Sequence, residues 1–185
     1  MIVTSSGGTR SKTRYIELNL RDVNQLFNTM DPSPFNERDL DHDAEEFIVS
    51  WARELPLADP VVLVVHLATV PHDRDAQKII QDAIQHYFGY RLQLSRLDFR
   101  HLMQDGRKSL LIGVAFLAVC LTISKLIGVG EGAFSSVGRE SLTIGGWVAM
   151  WRPLEIYLYD WWPLLRRQRI LKKLSQMPVE IRTPK

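Results

Sequence analysis

The chain has 185 residues and a mass of 21.3 kDa, which is room for one ordinary domain and a smaller appendage. Its composition, 45% hydrophobic and 24% charged, is that of a folded protein and excludes a largely disordered chain. The single Cys120 excludes an intrachain disulfide and a multi-cysteine zinc or iron–sulfur site. Seven basic residues and one acidic residue lie in 166–185, so the net charge of +2 reflects a basic tail. The body of the chain is not basic, and we expect no nucleic-acid partner.

The N-terminal half begins with a segment that has no apolar pattern. Residues 1–14 are small, polar and basic, which predicts a mobile tail. Apolar and polar residues then alternate along 15–20, and this period of two predicts a half-buried strand. A short helix through Val23 and Phe27 has to end before the Asp-Pro-Ser-Pro sequence at 31–34.

An amphipathic helix is predicted over 36–55, with acidic residues grouped toward its N-terminus, where they suit the helix dipole. Carboxylates and an imidazole at i, i+3 and i+4 spacing favour a divalent metal site, whereas charged residues at a helix start also form a solvated face without any ligand. Both interpretations stay open. The candidate metal ligands are Asp39, His42, Asp43 and Glu46.

Three more predicted elements complete a small α/β layer. The apolar, β-branched run 61–68 predicts a central strand, and helical spacing over 72–88 predicts a helix that Gly89 caps. Residues 90–95 alternate and predict a third strand, although 90–102 also fits a continuing helix. The fold class is therefore an α/β domain over 15–108, a β-α-β-α-β layer with at least one parallel strand pair. His66, with His72, Asp73 and Asp75 beyond it, is a second ligand candidate at a strand end, or a structural histidine.

A two-helix transmembrane hairpin is predicted over 109–165. Residues 109–124 carry no charge, and 109–128 is long enough to cross a bilayer. After a Gly- and Ser-containing connection, 142–165 is long enough for a second span. Basic residues flank both spans on the same side, which predicts that both termini are cytoplasmic in a bacterial inner membrane.

Arg152 and Glu155 fall near the middle of this second predicted span, three residues apart around Pro153. Charges at membrane depth need a partner or a wet cavity. They are interpreted as the lining of a conduit, or as structural residues that pair with each other or across an oligomer interface. As a third alternative, the segment breaks at Pro153 and its later half lies at the membrane interface.

The basic tail, 166–185, follows directly after the second predicted span, together with a pair of tryptophans. Aromatic and basic side chains at this place are typical of the membrane interface, and each basic residue near anionic lipid contributes about 1 kcal/mol to binding. The predicted lipid-contacting residues are Trp161, Trp162, Arg166, Arg167, Arg169, Lys172 and Lys173.

These elements predict a non-enzymatic, self-associating membrane protein whose cytoplasmic domain binds a partner protein or scaffolds an assembly. No nucleophile stands beside a base in a recognisable setting, and no cofactor is expected. Two alternatives remain from the same residues. One is an oligomeric ion or proton conduit using Arg152 and Glu155, and the other is a membrane-tethered metal-dependent enzyme.

Overall fold

The computed structural model describes residues 12–34, 38–68, 74–127 and 133–182. The chain divides into two compact units. Unit 1 comprises Met1–Ser95 and Arg167–Lys185, and unit 2 comprises Arg96–Arg166. In the sequence, unit 1 therefore contains the segments that precede and follow unit 2.

Unit 1 is built on a three-stranded parallel sheet. Its strands are β1 (Arg14–Leu20), β2 (Val61–Leu67) and β3 (Val179–Arg182), in the spatial order β1-β2-β3. A 3-10 turn (Val23–Gln25) and helix α1 (His42–Glu54) lie between β1 and β2 in the chain. The strand predictions over 15–20 and 61–68 are confirmed, and so is the parallel pair.

One face of the sheet carries the hydrophobic core of unit 1. Helix α1, the first part of α2 (Arg74–Ile127) and the last part of α5 (Trp161–Leu174) contribute to this core. Because β2 is the central strand, six of its seven residues are buried, and His66 is half-buried. The largest completely buried side chains of unit 1 are Ile16, Leu26, Phe27, Ile48, Leu63, Leu67, Ile84, Phe88, Leu174 and Met177.

The third strand is not the one that the sequence predicts. Residues 90–95 are helical, because the buried stripe of α2 continues past Gly89 at helical spacing through Leu92 and Ser95. The real third strand, β3, lies in the C-terminal segment, where Val179 is buried and Ile181 packs against the core. The β-α-β-α-β layer over 15–108 is therefore wrong, since the sheet closes with residues 179–182.

Helix α1 begins later than predicted. Residues 38–41 are not helical, because Leu40 forms an antiparallel bridge with Phe27 and the amide of Asp39 donates to Asp31 Oδ2 at 2.8 Å. Asp41 then caps the helix by accepting from the amide of Asp43 at 3.0 Å. Backbone hydrogen bonds to the Asp31 carboxylate lower its pKa, because they favour the charged form.

Unit 2 contains the second part of α2 and a chain of helices that runs back along it. These helices are α3 (Ala133–Ala149), α4 (Trp151–Glu155), a π-helix (Ile156–Asp160) and the first residues of α5. Gly146 lies against Leu117 and Cys120, and Gly106 lies against Ile156. Gly106 of α2 thus meets Ile156, and Leu117 meets Gly146. The second part of α2 and the helices that follow it, which we call the two arms of unit 2, therefore run antiparallel.

The predicted transmembrane hairpin is wrong. Among the described residues, one helix, α2, is long and apolar enough to cross a membrane, and no second helix meets that test. The predicted second span is interrupted, since α3 ends at Ala149 after 17 residues and a turn precedes α4. Pro153 and Pro163 explain the interruptions, because each lacks an amide proton and its ring displaces the carbonyl four residues earlier. Part of the predicted connection, from residue 133 onward, is helical.

The packing of α5 leads to a stability prediction. Leu174 is completely buried in the core of unit 1, so Leu174→Ala should lower the free energy of unfolding by about 2–5 kcal/mol. Lys172→Ala is the matched control, because Lys172 is exposed and the change should stay within about 0.5 kcal/mol. Urea unfolding of the full chain in detergent measures both. Equal midpoints for the two variants would contradict the placement of α5 in the core.

Candidate functional site

The surface of unit 2 is unusually apolar for a protein exterior. Only 17% of the most apolar 18-residue stretch of α2 is buried, and both arms carry exposed large apolar side chains. Soluble monomers rarely expose contiguous apolar patches larger than a few hundred Å². The most exposed of these residues are Leu111, Ile112, Leu126, Val137, Ile144, Trp147, Val148, Trp151, Tyr159 and Trp162.

Small residues allow the two arms of unit 2 to approach closely. A Cβ atom added to Gly113 would lie 3.0 Å from the carbonyl oxygen of Ala149, the carbonyl that Pro153 leaves without its helical partner. A Cβ atom on Gly146 would lie 2.8 Å from Leu117 Cδ1. Ser124, which is buried, donates to the carbonyl of Arg139 at 3.3 Å. Glycine contacts and hydroxyl hydrogen bonds of this kind are typical of helices that pack in lipid.

Arg152 and Glu155 are paired, and a third residue joins them. Arg152 Nη1 donates to Glu155 Oε2 at 3.0 Å and to Asp160 Oδ2 at 3.2 Å. The three side chains are 59%, 44% and 31% exposed, in that order. We call Arg152, Glu155 and Asp160 the ion triad. Its formal charge is −1, since one guanidinium faces two carboxylates.

The ion triad lies at the beginning of the apolar run of α2. Pro153 and its neighbours lie against Gly113, and Arg152 lines a groove together with Ser109. Ser109 directly follows Arg107 and Lys108 in the sequence. Arg152 and Glu155 therefore lie just after the turn at Met150 that ends α3, and not midway along one continuous helix.

The groove beside the ion triad lies wholly within unit 2 and has a volume of about 360 Å³. Its wall is apolar except at the end where Arg152 and Ser109 lie. The groove exists because Gly113 and Ala149 have little or no side chain where the arms meet. The remaining lining residues are Ile112, Phe116 and Pro153. Sequence reasoning missed this groove, although the glycines at 106, 113 and 146 were a signal of close helix packing.

The predicted lipid-contacting residues have mixed surroundings. Arg167, Arg169, Lys172 and Trp162 are exposed, and Arg166 is exposed as well. The Lys173 ammonium, however, donates to the carbonyl of Pro56 at 2.9 Å, and partial burial lowers its pKa. Trp161 Nε1 donates to the carbonyl of Tyr157 at 2.8 Å. The apolar side of α5, at Ile170, Leu171 and Leu174, belongs to the core of unit 1 and does not face lipid.

The predicted metal ligands do not assemble. Among the described residues, no group of three or more His, Cys, Asp or Glu side chains lies close enough to hold a metal ion, so Asp39, His42, Asp43 and Glu46 form no ligand set. The carboxylate of α1 that contacts a neighbouring helix is Glu45, which is not among the predicted ligands.

Glu45 links α1 to α2 through hydrogen bonds and an ion pair. Its Oε1 atom accepts from Nε and Nη2 of Arg91 at 2.8 and 2.7 Å, and its Oε2 atom accepts from the Tyr87 hydroxyl at 2.7 Å. Burial of the ring, together with this hydrogen bond to a carboxylate, raises the pKa of Tyr87. Tyr87 therefore stays neutral and donates a hydrogen bond. These contacts of Glu45 with Tyr87 and Arg91 are structural, because they hold α1 against α2 within unit 1.

The second ligand candidate is only partly described. His66 Nε2 lies 3.7 Å from Glu17 Oε2 on the neighbouring strand, which is the contact of a structural histidine. His72 and Asp73 lie outside the described residues, and the side chain of Asp75 does as well.

Comparison with protein-family models, with curated proteins and with solved structures finds no significant match.

The contact between the arms of unit 2 can be tested at two adjacent glycines of α3. Gly146→Val should destabilise unit 2 by about 1–3 kcal/mol, because the added atoms would collide with Leu117 and Cys120. Gly145→Val is the matched control, since nothing lies within 4 Å of a Cβ atom there. Thermal unfolding in detergent compares them. A Gly145→Val variant that loses as much stability as Gly146→Val would contradict the arrangement.

Proposed function

We propose that this chain is a non-enzymatic protein inserted in a membrane through unit 2, with unit 1 in water and available to bind a partner protein. One observation carries the proposal, namely the exposed apolar surface along both arms of unit 2. The core helix of a soluble protein would be mostly buried, whereas the apolar part of α2 is mostly exposed. Lipid is the solvent in which such a surface costs least.

The length of α2 agrees with insertion. Its apolar part from Ser109 to Ile127 has 19 residues, which at about 1.5 Å per residue is roughly 28 Å and comparable with a hydrocarbon core of about 30 Å. Lys125 lies near its end, where the long side chain reaches toward headgroups. Pro153 and the glycine contacts are also tolerated in lipid, because neighbouring helices cover the backbone groups that they free.

Unit 1 supplies the argument for topology. Since β3 pairs with β2, the N-terminal and C-terminal parts of the chain share one sheet and belong to one compartment. The interrupted segment α3–α5, which is not a second spanning helix, therefore has to return the chain to the side on which α2 enters. Arg107 and Lys108 precede the apolar part of α2, and Arg166 and Arg167 end the segment that forms unit 2. Basic residues at such borders favour the cytoplasmic side of a bacterial inner membrane.

Self-association remains part of the proposal and is measured by the mass of the purified protein in detergent. The conduit and the metal-dependent enzyme remain predictions without a described arrangement of residues in their favour. Flux in liposomes and bound-metal analysis are the respective measurements.

Membrane insertion is tested by placing a charge on the exposed apolar side of α2. Val119 is 54% exposed, and Val119→Arg should reduce the fraction that resists alkaline carbonate extraction, because a central arginine costs about 2.5–3.5 kcal/mol on insertion. Leu57→Arg is the control, since Leu57 is an exposed residue of unit 1 and its replacement should leave extraction unchanged. Wild-type protein that is released completely by carbonate would refute the proposal.

The shared compartment of the two chain ends is tested by cysteine labelling. Cys120 is 4% exposed, so the wild-type chain gives a low background. Asn24→Cys and Gln176→Cys place exposed thiols in the two parts of unit 1. Both should react with an impermeant maleimide in inverted vesicles and neither in intact spheroplasts. Labelling of the two sites from opposite sides would contradict the shared sheet.

A further inference from the structure

The ion triad has hydrogen-bonding capacity that its internal contacts do not use. Both of its ion pairs go through Nη1 of Arg152, which leaves the Nε and Nη2 donors of the same guanidinium without a partner among the described residues. Glu155 Oε1 and Asp160 Oδ1 are likewise unused acceptors there. All three side chains are partly exposed, so a ligand can reach these atoms. The triad thus offers donors for an anion directly beside acceptors for a cation.

The groove adjoins the ion triad at Arg152, which lines it, whereas Glu155 and Asp160 are reached through their contacts with Arg152. The groove extends from Arg152 and Ser109 along Ile112, Gly113 and Phe116, so one end is polar and the rest is apolar. The groove has a volume of about 360 Å³ and is open along its surface, so it suits one stretch of an acyl chain lying along the protein and not an enclosed ligand. A ligand that fits both parts has a zwitterionic head and an apolar chain.

We propose that this groove binds a phospholipid with an ethanolamine headgroup. The acyl chain lies over Gly113 and Ala149, the phosphate accepts hydrogen bonds from Nε and Nη2 of Arg152, and the ammonium donates to Glu155 and Asp160. This inference rests on the proposed function, because it needs unit 2 to meet lipid with the ion triad at headgroup level.

Charge selects this headgroup among the common phospholipids. The formal charge of −1 on the triad disfavours a purely anionic headgroup, which would bring a phosphate to carboxylates without a compensating cation. A choline headgroup keeps the positive charge but has no N–H group to donate to Glu155 or Asp160. A primary ammonium provides both the charge and three donors, and hydrogen bonds between ionised groups are the strong ones.

The test uses the full chain purified in a mild non-ionic detergent and offered an equimolar mixture of dioleoyl phosphatidylethanolamine, phosphatidylcholine and phosphatidylglycerol. Native mass spectrometry then counts the lipid that remains bound. We expect retention of phosphatidylethanolamine over phosphatidylcholine by about tenfold, the factor that one charge-assisted hydrogen bond contributes. Equal retention of the three lipids, no retained lipid, or a preference for phosphatidylglycerol would overturn the proposal.

Isosteric variants connect the preference to the triad. Glu155→Gln combined with Asp160→Asn keeps the side-chain shapes but removes both negative charges, and it should bring the ratio of the first two lipids close to one. Glu140→Gln is the matched control, because Glu140 is an exposed carboxylate of unit 2 away from the groove, and its ratio should equal that of the wild type. A double variant that keeps the tenfold preference would overturn the assignment.

Failure of this inference and failure of the proposed function are read from different measurements. Carbonate extraction of the wild-type chain reports insertion, and the lipid ratio reports headgroup selection. If the chain resists extraction but retains the three lipids equally, only the proposed headgroup selection at the groove is contradicted. A chain that carbonate releases contradicts insertion, whatever lipid is bound in detergent.

Discussion

The pairing of β3 with β2 is the constraint on which the rest of the structure depends. Four residues near the C-terminus complete a sheet whose other strands lie in the first 67 residues, so the chain has to leave unit 1 after Ser95 and return to it at Arg167. The intervening residues therefore form two antiparallel arms. Leu174 and Met177, both buried, secure the returning chain, and Gln85 Nε2 donates to the carbonyl of Met177 at 2.9 Å.

The two arms of unit 2 are chemically unequal. The arm in α2 has an unbroken apolar part, whereas the returning arm contains two prolines, a π-helix and three charged residues within the twelve positions 152–163. Pro153 and Pro163 lie on either side of the π-helix, and each disturbs the hydrogen bond that would reach back four residues. The widened backbone between them carries Asp160 within reach of Arg152. The irregularity of this arm and the ion triad therefore have one origin in the spacing of the prolines.

Hydrophobic patterns in the sequence correctly predicted the elements whose structure depends mainly on neighbouring residues. The strands β1 and β2 were predictable because alternation and β-branching mark half-buried and central strands. The strand at 90–95 was wrong because alternation over six residues also fits a helix, and tertiary burial of Leu92 and Ser95 decided the outcome. Strand β3 was missed although Val179 and Ile181 alternate, since pairing across more than 100 residues leaves no local signal. The pairing of Arg152 with Glu155 followed from helical spacing, but the participation of Asp160 depends on the π-helix.

The position of the ion triad determines what it contributes. Exposed ion pairs in water stabilise a protein by only about 0–1 kcal/mol, because water competes for each charge. The same contacts strengthen as the effective dielectric constant falls, and a charge without a partner becomes costly there. In an inserted protein, the start of the apolar run of α2, beside Ser109, lies at the membrane–water interface. One guanidinium cannot neutralise two carboxylates there, so the remaining negative charge favours a cationic group, which in our proposal arrives with its own apolar chain.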